Sequence, residues 1–133
     1  VAVTKGYKQL IEEAEAVVKT YSVEDAKGFA DRDDVVMVDI RDIRELHKMG
    51  KVAGATHAPR GMLEFWVDPE SPYYRESLAD ESKEYVLYCG SGWRSALAAK
   101  AMVDMGLTNY AHMGGGFSGW KESDGTIEAV EAK

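Results

Sequence analysis

The sequence predicts an α/β domain of three layers, a mainly parallel central sheet with helices on both faces. Three observations carry this. Short β-branched or aromatic runs alternate with amphipathic stretches along the chain, as in βαβ units. The clearest run, Val35 to Val38, is continuously apolar, which suits a strand buried on both faces. A chain of 133 residues, 45% of them hydrophobic, makes one domain with its own core and needs no metal or disulfide staple.

The elements follow in order. Lys8 to Tyr21 reads as a helix, with Leu10, Ala14, Val17, Val18 and Tyr21 on one apolar stripe. Residues 1–21 thus form an amino-terminal helix packed on the domain. Ser22 ends it and caps a second helix carrying Ala26, Phe29 and Ala30. After a turn at Asp33 and Asp34, Val35-Val36-Met37-Val38 is a strand. Asp42 to Met49 is a helix stopped by Gly50. Ala55 to Ala58 is a short strand ended by Pro59, and Gly61 to Val67 a short helix. Pro69 and Pro72 break a connection rich in aromatics: Phe65, Trp66, Tyr73 and Tyr74. Tyr85 to Tyr88 is a second strand. Arg94 to Met105 is an alanine-rich helix stopped by Gly106. Tyr110 to Met113 is a third strand, and Gly114-Gly115-Gly116 turns into a last helix holding Phe117 and Trp120. The polar stretch from Ile127 to Lys133 reads as a loose tail, which leaves 22–126 as the domain. No internal repeat suggests a solenoid.

Composition excludes several functions. Acids outnumber bases 23 to 16, a net charge of −7, so no overall basic footprint for nucleic acid exists. No apolar run approaches the roughly 18 residues of a membrane span. The opening Val1-Ala2-Val3-Thr4-Lys5 lacks an initiator Met and does not lead into a signal-peptide core. Cys89 is the single cysteine, so it forms no intrachain disulfide and no cysteine-rich zinc site. His47, His57 and His112 have no metal-ligand spacing; the first reads as surface and the others as strand-end packing. A lone thiol suits the reducing cytosol. The expectation is a cytoplasmic protein without metal or cofactor, its oligomeric state open.

Sites in parallel sheets lie at the carboxyl ends of strands. Cys89 stands at such an end, followed by Gly90-Ser91-Gly92-Trp93-Arg94-Ser95 and a helix. The glycines let the backbone turn tightly with its N–H groups inward. The helix N-terminus adds about half a positive charge, and Arg94 a full one if it folds back. A thiol of ordinary pKa, about 8.5, is only about 3% thiolate at pH 7. Such a cup favours the thiolate, and the thiolate is the nucleophile. An isolated cysteine is commonly inert core filler, but core filler gains nothing from an adjacent glycine-rich loop and arginine.

The loop Cys89 to Ser95 resembles the active-site loop of rhodanese-domain sulfurtransferases. Val38-Asp39-Ile40-Arg41, with Glu45 and Gly50-Lys51-Val52-Ala53-Gly54-Ala55, resembles the amino-terminal signature of that family. Gly115-Gly116-Phe117-Ser118-Gly119-Trp120 resembles its carboxyl-terminal one. The resemblance runs from about Ser22 to Lys121 and implies the rhodanese-like three-layer fold. Four residues separate Cys89 from Arg94, as in the sulfurtransferases. The related phosphatases carry one residue more, to hold a tetrahedral oxyanion. The signature usually reads Gly-His-Ile-Pro-Gly-Ala; here Lys51 replaces the histidine and Ala53 the proline.

The resemblance implies a reaction in two halves. Cys89 takes a sulfane sulfur from a small anionic donor such as thiosulfate, and a thiol or cyanide acceptor removes it. Having no internal partner thiol, Cys89 must deliver to another molecule, including a protein sulfur acceptor. A carrier or sulfide-sensing module and a cysteine-dependent phosphatase are the alternatives. Gly90, Ser91, Gly92, Trp93, Arg94 and Ser95 are the expected substrate-binding residues, with Arg60 a second cation from a strand-end turn. Arg94 and Ser95 also read as an ordinary solvated arginine and helix cap, and Arg60 as an exposed loop residue. Asp39 and Arg41 read as a structural polar network with Glu45. Trp93 either shapes acceptor access or covers the core edge.

Overall fold

The computed structural model describes residues 2–132. Val1 of the amino-terminal segment and Lys133 of the tail lie outside the described residues.

Five strands form one parallel sheet: β1 (Lys19–Tyr21), β2 (Val35–Asp39), β4 (Thr56–His57), β5 (Glu84–Tyr88) and β6 (Tyr110–Met113). Their order is β1-β6-β5-β2-β4. The central strand is β5, whose Tyr88 pairs with Asp39 and whose Leu87 pairs with His112. The carboxyl ends of β2, β5 and β6 therefore finish together, and Cys89 leaves the sheet at its middle.

Strand alternation divides the core. Tyr85, Leu87 and Cys89 face one side, against Leu63 and Val67 of α4 (Leu63–Val67) and Ala98, Ala99 and Met102 of α5 (Trp93–Asp104). Val86 and Tyr88 face the other, against Ala26 of α2 (Val23–Lys27) and Phe117 and Trp120 of α6 (Gly116–Glu122). Helices thus cover both faces, as the sequence predicts. The amino-terminal helix, α1 (Tyr7–Val17), lies outside α5 and buries Ile11 and Ala14 against Ala96. Between β2 and β4 runs α3 (Ile43–Met49), closed at its start by a capping box of Asp42 and Glu45.

Three expectations need correction. The helix read to Tyr21 stops at Val17, because Lys19 to Tyr21 pair in parallel with Ala111 to Met113. Long-range pairing overrides the local apolar period there. The second helix ends at Lys27, so Phe29 and Ala30 lie beyond it. The tail is held at its start: β7 (Ile127–Glu128) pairs antiparallel with β3 (Lys51–Val52). Ala53 N–H donates to Thr126 O at 3.0 Å, and Lys51 Nζ lies 3.8 Å from a Glu128 carboxylate oxygen. The two departures from the family signature are thus among the residues that fasten the tail, with Val52 and Gly54. A proline at 53 has no N–H to donate.

Candidate active site

The site starts from the abrupt change between β5 and α5. Only Cys89, Gly90, Ser91 and Gly92 connect them, and Gly92 caps the helix at φ +115°, where a side chain would be strained. This turn points amides at the sulfur. Gly92 N–H donates to Cys89 Sγ at 3.2 Å and Ser95 N–H at 3.4 Å, with Ser95 Oγ at 3.6 Å. The residue is only 1% exposed. Burial pushes its thiol up, but the Ser95 hydroxyl and the N–H groups of Ser95, Gly92 and Ser91 outweigh it and hold the thiol below its ordinary value. The arrangement can stabilise an anionic sulfur.

A backbone clamp holds the loop from behind. Phe117 N–H donates to Cys89 O at 2.7 Å and Ser118 N–H to Gly90 O at 3.0 Å. Gly116 must be glycine for this approach: at φ +57°, a Cβ would stand 2.6 Å from Cys89 O. The carboxyl-terminal glycines are thus a seat for the Cys89 loop.

Arg94 folds back across Gly90, its Nη2 lying 3.2 Å from where a Gly90 Cβ would be. It also donates to both carboxylate oxygens of Glu45, at 2.9 and 3.1 Å. That bond pulls the Glu45 carboxyl below its ordinary range. Glu45 therefore does not join the Asp39–Arg41 network. That network is a buried pair at 2.7 Å, with Arg41 Nη2 also donating to Gly50 O and the guanidinium resting on the Phe117 ring. It is structural, joining β2 to the turn after α3.

Trp93 is 56% exposed and packs on Tyr7 of α1 with ring centroids 5.0 Å apart. It forms a rim beside the loop, so the amino-terminal helix reaches the site's edge. Arg60 lies at the carboxyl edge of the sheet, its N–H on Ile40 O, but its guanidinium is paired with Glu64 at 2.8 Å. No hydrogen bond joins it to the Cys89 loop among the described residues.

Sequence reasoning read His112 as strand-end packing and missed its contact with Ser95. It is 1% exposed, with Nδ1 3.0 Å from Ser95 Oγ and Nε2 3.1 Å from Thr20 Oγ1. The register pairing Thr20 with His112 sets the second contact. No signal for it existed without knowing that residues 19–21 form a strand.

A family model described as the rhodanese-like domain matches residues 22–123. The chain belongs to this family. Thiosulfate sulfurtransferase GlpE of Coxiella burnetii is 29% identical over 96 residues, covering 72% of this chain and 80% of that one. Among solved structures, a Rhodopseudomonas palustris protein described as of unknown function and a possible tyrosine phosphatase superposes with a TM-score of 0.92. It is 45% identical and is covered to 98% by 96% of this chain. A homodimeric polysulfide-sulfur transferase from Wolinella succinogenes gives 0.73 at 28% identity, over 93% of this chain and 88% of that one. No helix among the described residues is long and apolar enough to cross a membrane.

Proposed function

We propose that this rhodanese-like protein transfers sulfane sulfur through a persulfide on Cys89. In the first half-reaction the Cys89 thiolate attacks the outer sulfur of thiosulfate. The S–S bond of the donor breaks, its electron pair leaves with sulfite, and Cys89 keeps the sulfur as an anionic persulfide. The N–H groups of the loop from Gly90 to Ser95 hold the negative charge, and Arg94 attracts the anionic donor. In the second half a thiol or cyanide attacks the outer persulfide sulfur and regenerates the thiolate. Cys89 is the single cysteine of this chain, so the acceptor is another molecule, a protein thiol included. A reducing compartment such as the cytoplasm suits the free thiol.

The observation that carries this reading is the size of the cup. Four residues close between Cys89 and Arg94, and the sulfur they surround belongs to a residue 1% exposed. An added sulfur atom is a smaller demand than a phosphoryl group with three oxygens needing donors. The test is the intact mass after incubation with thiosulfate. A gain of one sulfur atom, absent in Cys89→Ser, is expected; no gain with thiosulfate or polysulfide overturns the reading. The description of the Rhodopseudomonas protein favours a second reading, a cysteinyl-phosphate enzyme. Cys89-dependent release of phosphate from an aryl phosphate, without sulfur loading, would establish it.

A further inference from the structure

We propose that Ser95, His112 and Thr20 form a proton relay between Cys89 and solvent, and that His112 changes tautomer when the sulfur changes ionisation. His112 and Thr20 are positioning residues, acting on the sulfur through Ser95.

The contacts are continuous. Cys89 Sγ lies 3.6 Å from Ser95 Oγ, Ser95 Oγ 3.0 Å from His112 Nδ1, and His112 Nε2 3.1 Å from Thr20 Oγ1. Cys89, Ser95 and His112 are buried, whereas Thr20 is exposed on the edge strand. The chain thus runs from an enclosed sulfur to water. Burial pushes His112 below the ordinary histidine range, opposed by the Glu15 carboxylate on α1. The ring is therefore neutral and carries one proton, on either nitrogen. Arg94 from α5 is the other charged group acting on the sulfur, with Glu45 of α3 paired to it.

Each ionisation state of the sulfur fixes one orientation of the chain. With Cys89 as thiolate, Thr20 O–H donates to Nε2, Nδ1–H donates to Ser95 Oγ, and Ser95 O–H donates to Sγ. With Cys89 as thiol, S–H donates to Ser95 Oγ, Ser95 O–H donates to Nδ1, and Nε2–H donates to Thr20 Oγ1. Passing from thiol to thiolate moves the sulfur's proton to Ser95 and the Ser95 proton to Nδ1. The Nε2 proton moves to Thr20, whose own proton leaves to water. One proton is released, and the thiolate is the only new charge in the interior. The Gly92 carbonyl, 3.3 Å from Ser95 Oγ, competes for the serine proton, and negative charge on sulfur decides in favour of Sγ.

The inference rests on Cys89 working as a thiolate, but its test uses the free thiol with no sulfur donor present. A failed relay and a failed sulfur transfer are therefore distinguishable. The experiment follows the ring nitrogens of His112 by ¹H–¹⁵N NMR across the Cys89 titration. In parallel, the pH dependence of Cys89 alkylation by iodoacetamide is compared between wild type and Ser95→Ala. The expected result is the Nδ1–H tautomer above the Cys89 midpoint and the Nε2–H tautomer below it. Loss of the Ser95 hydroxyl, which donates to the thiolate, should also lower the thiolate fraction about fivefold or more below the midpoint. A His112 tautomer that stays the same on both sides of the midpoint overturns the relay. So does an alkylation profile that Ser95→Ala leaves in place. The NMR arm needs no variant, so a misfolded mutant does not remove the test.

Discussion

Arg94 reaches both carboxylate oxygens of Glu45 while lying across Gly90 at the mouth of the Cys89 loop. The cation expected to receive an anionic donor is thus already held by an acid from α3. That pairing fixes where the guanidinium sits and offsets part of its charge. The protein's net charge of −7 repels small anions at long range. Their binding then depends on how much of the Arg94 charge Glu45 leaves available.

Glu45→Gln should lower KM for thiosulfate. The Arg94 and Glu45 side chains are 47% and 31% exposed, so solvent screens the pair and the gain is at most about fivefold, on the order of 1 kcal/mol. Arg94→Ala should raise KM by about tenfold or more, since a hydrogen bond to a charged group is lost. Steady-state kinetics at low ionic strength read both. An unchanged KM in Arg94→Ala removes Arg94 from donor binding.

Gly116→Ala should damage the site from a distance along the chain. Its methyl would lie 2.6 Å from Cys89 O and 2.7 Å from Gly90 O, backbone atoms that Phe117 and Ser118 hold. Overpacking of this kind costs about 1–3 kcal/mol, and the φ of +57° adds strain. Thermal unfolding should show a lower Tm, and persulfide loading should slow in the fraction that folds. Normal loading at normal Tm contradicts the clamp.

The Cys89 thiol is held below its ordinary value by Ser95 and the loop amides despite burial. The unfolded chain therefore binds that proton more tightly than the folded one. The resulting stabilisation is fully present above the unfolded thiol value of about 8.5 and is lost as pH falls through the depressed folded value. The stability of wild type relative to Cys89→Ala should rise with pH between those two points. Urea unfolding across that range measures it. A flat difference means that the loop does not favour the thiolate.

Ala53→Pro, which restores the usual family residue, should destabilise this chain by about 1 kcal/mol, because it deletes the Ala53 N–H bond to Thr126 O. Hydrogen exchange should quicken at Ile127 and Glu128, which pair with Val52 and Lys51. Sulfur loading should not change, since β3 and β7 touch none of the residues bonded to Cys89 Sγ. Unaltered exchange would show that the tail is held by other contacts.

The sheet's central part was legible because Val35–Val38 and Tyr85–Tyr88 announce buried parallel strands without help from distant residues. The loop was legible for a related reason: its glycines, cysteine and arginine are contiguous, so local chemistry reveals the cup. What depends on long-range register was not. Lys19 to Tyr21 continue a helical stripe in sequence and become a strand only because β6 offers an open edge. That error concealed Thr20, and with it the setting of His112. The position of Arg94 over Gly90 depends on a partner, Glu45, that comes from another helix 49 residues away.

The most direct test of the central claim is the intact mass of the protein after brief exposure to thiosulfate and removal of the excess. The account predicts a gain of one sulfur atom, confined to the peptide carrying Cys89, abolished in Cys89→Ser and removed by cyanide. A protein with intact Cys89 that takes up no sulfur from thiosulfate or polysulfide would contradict it.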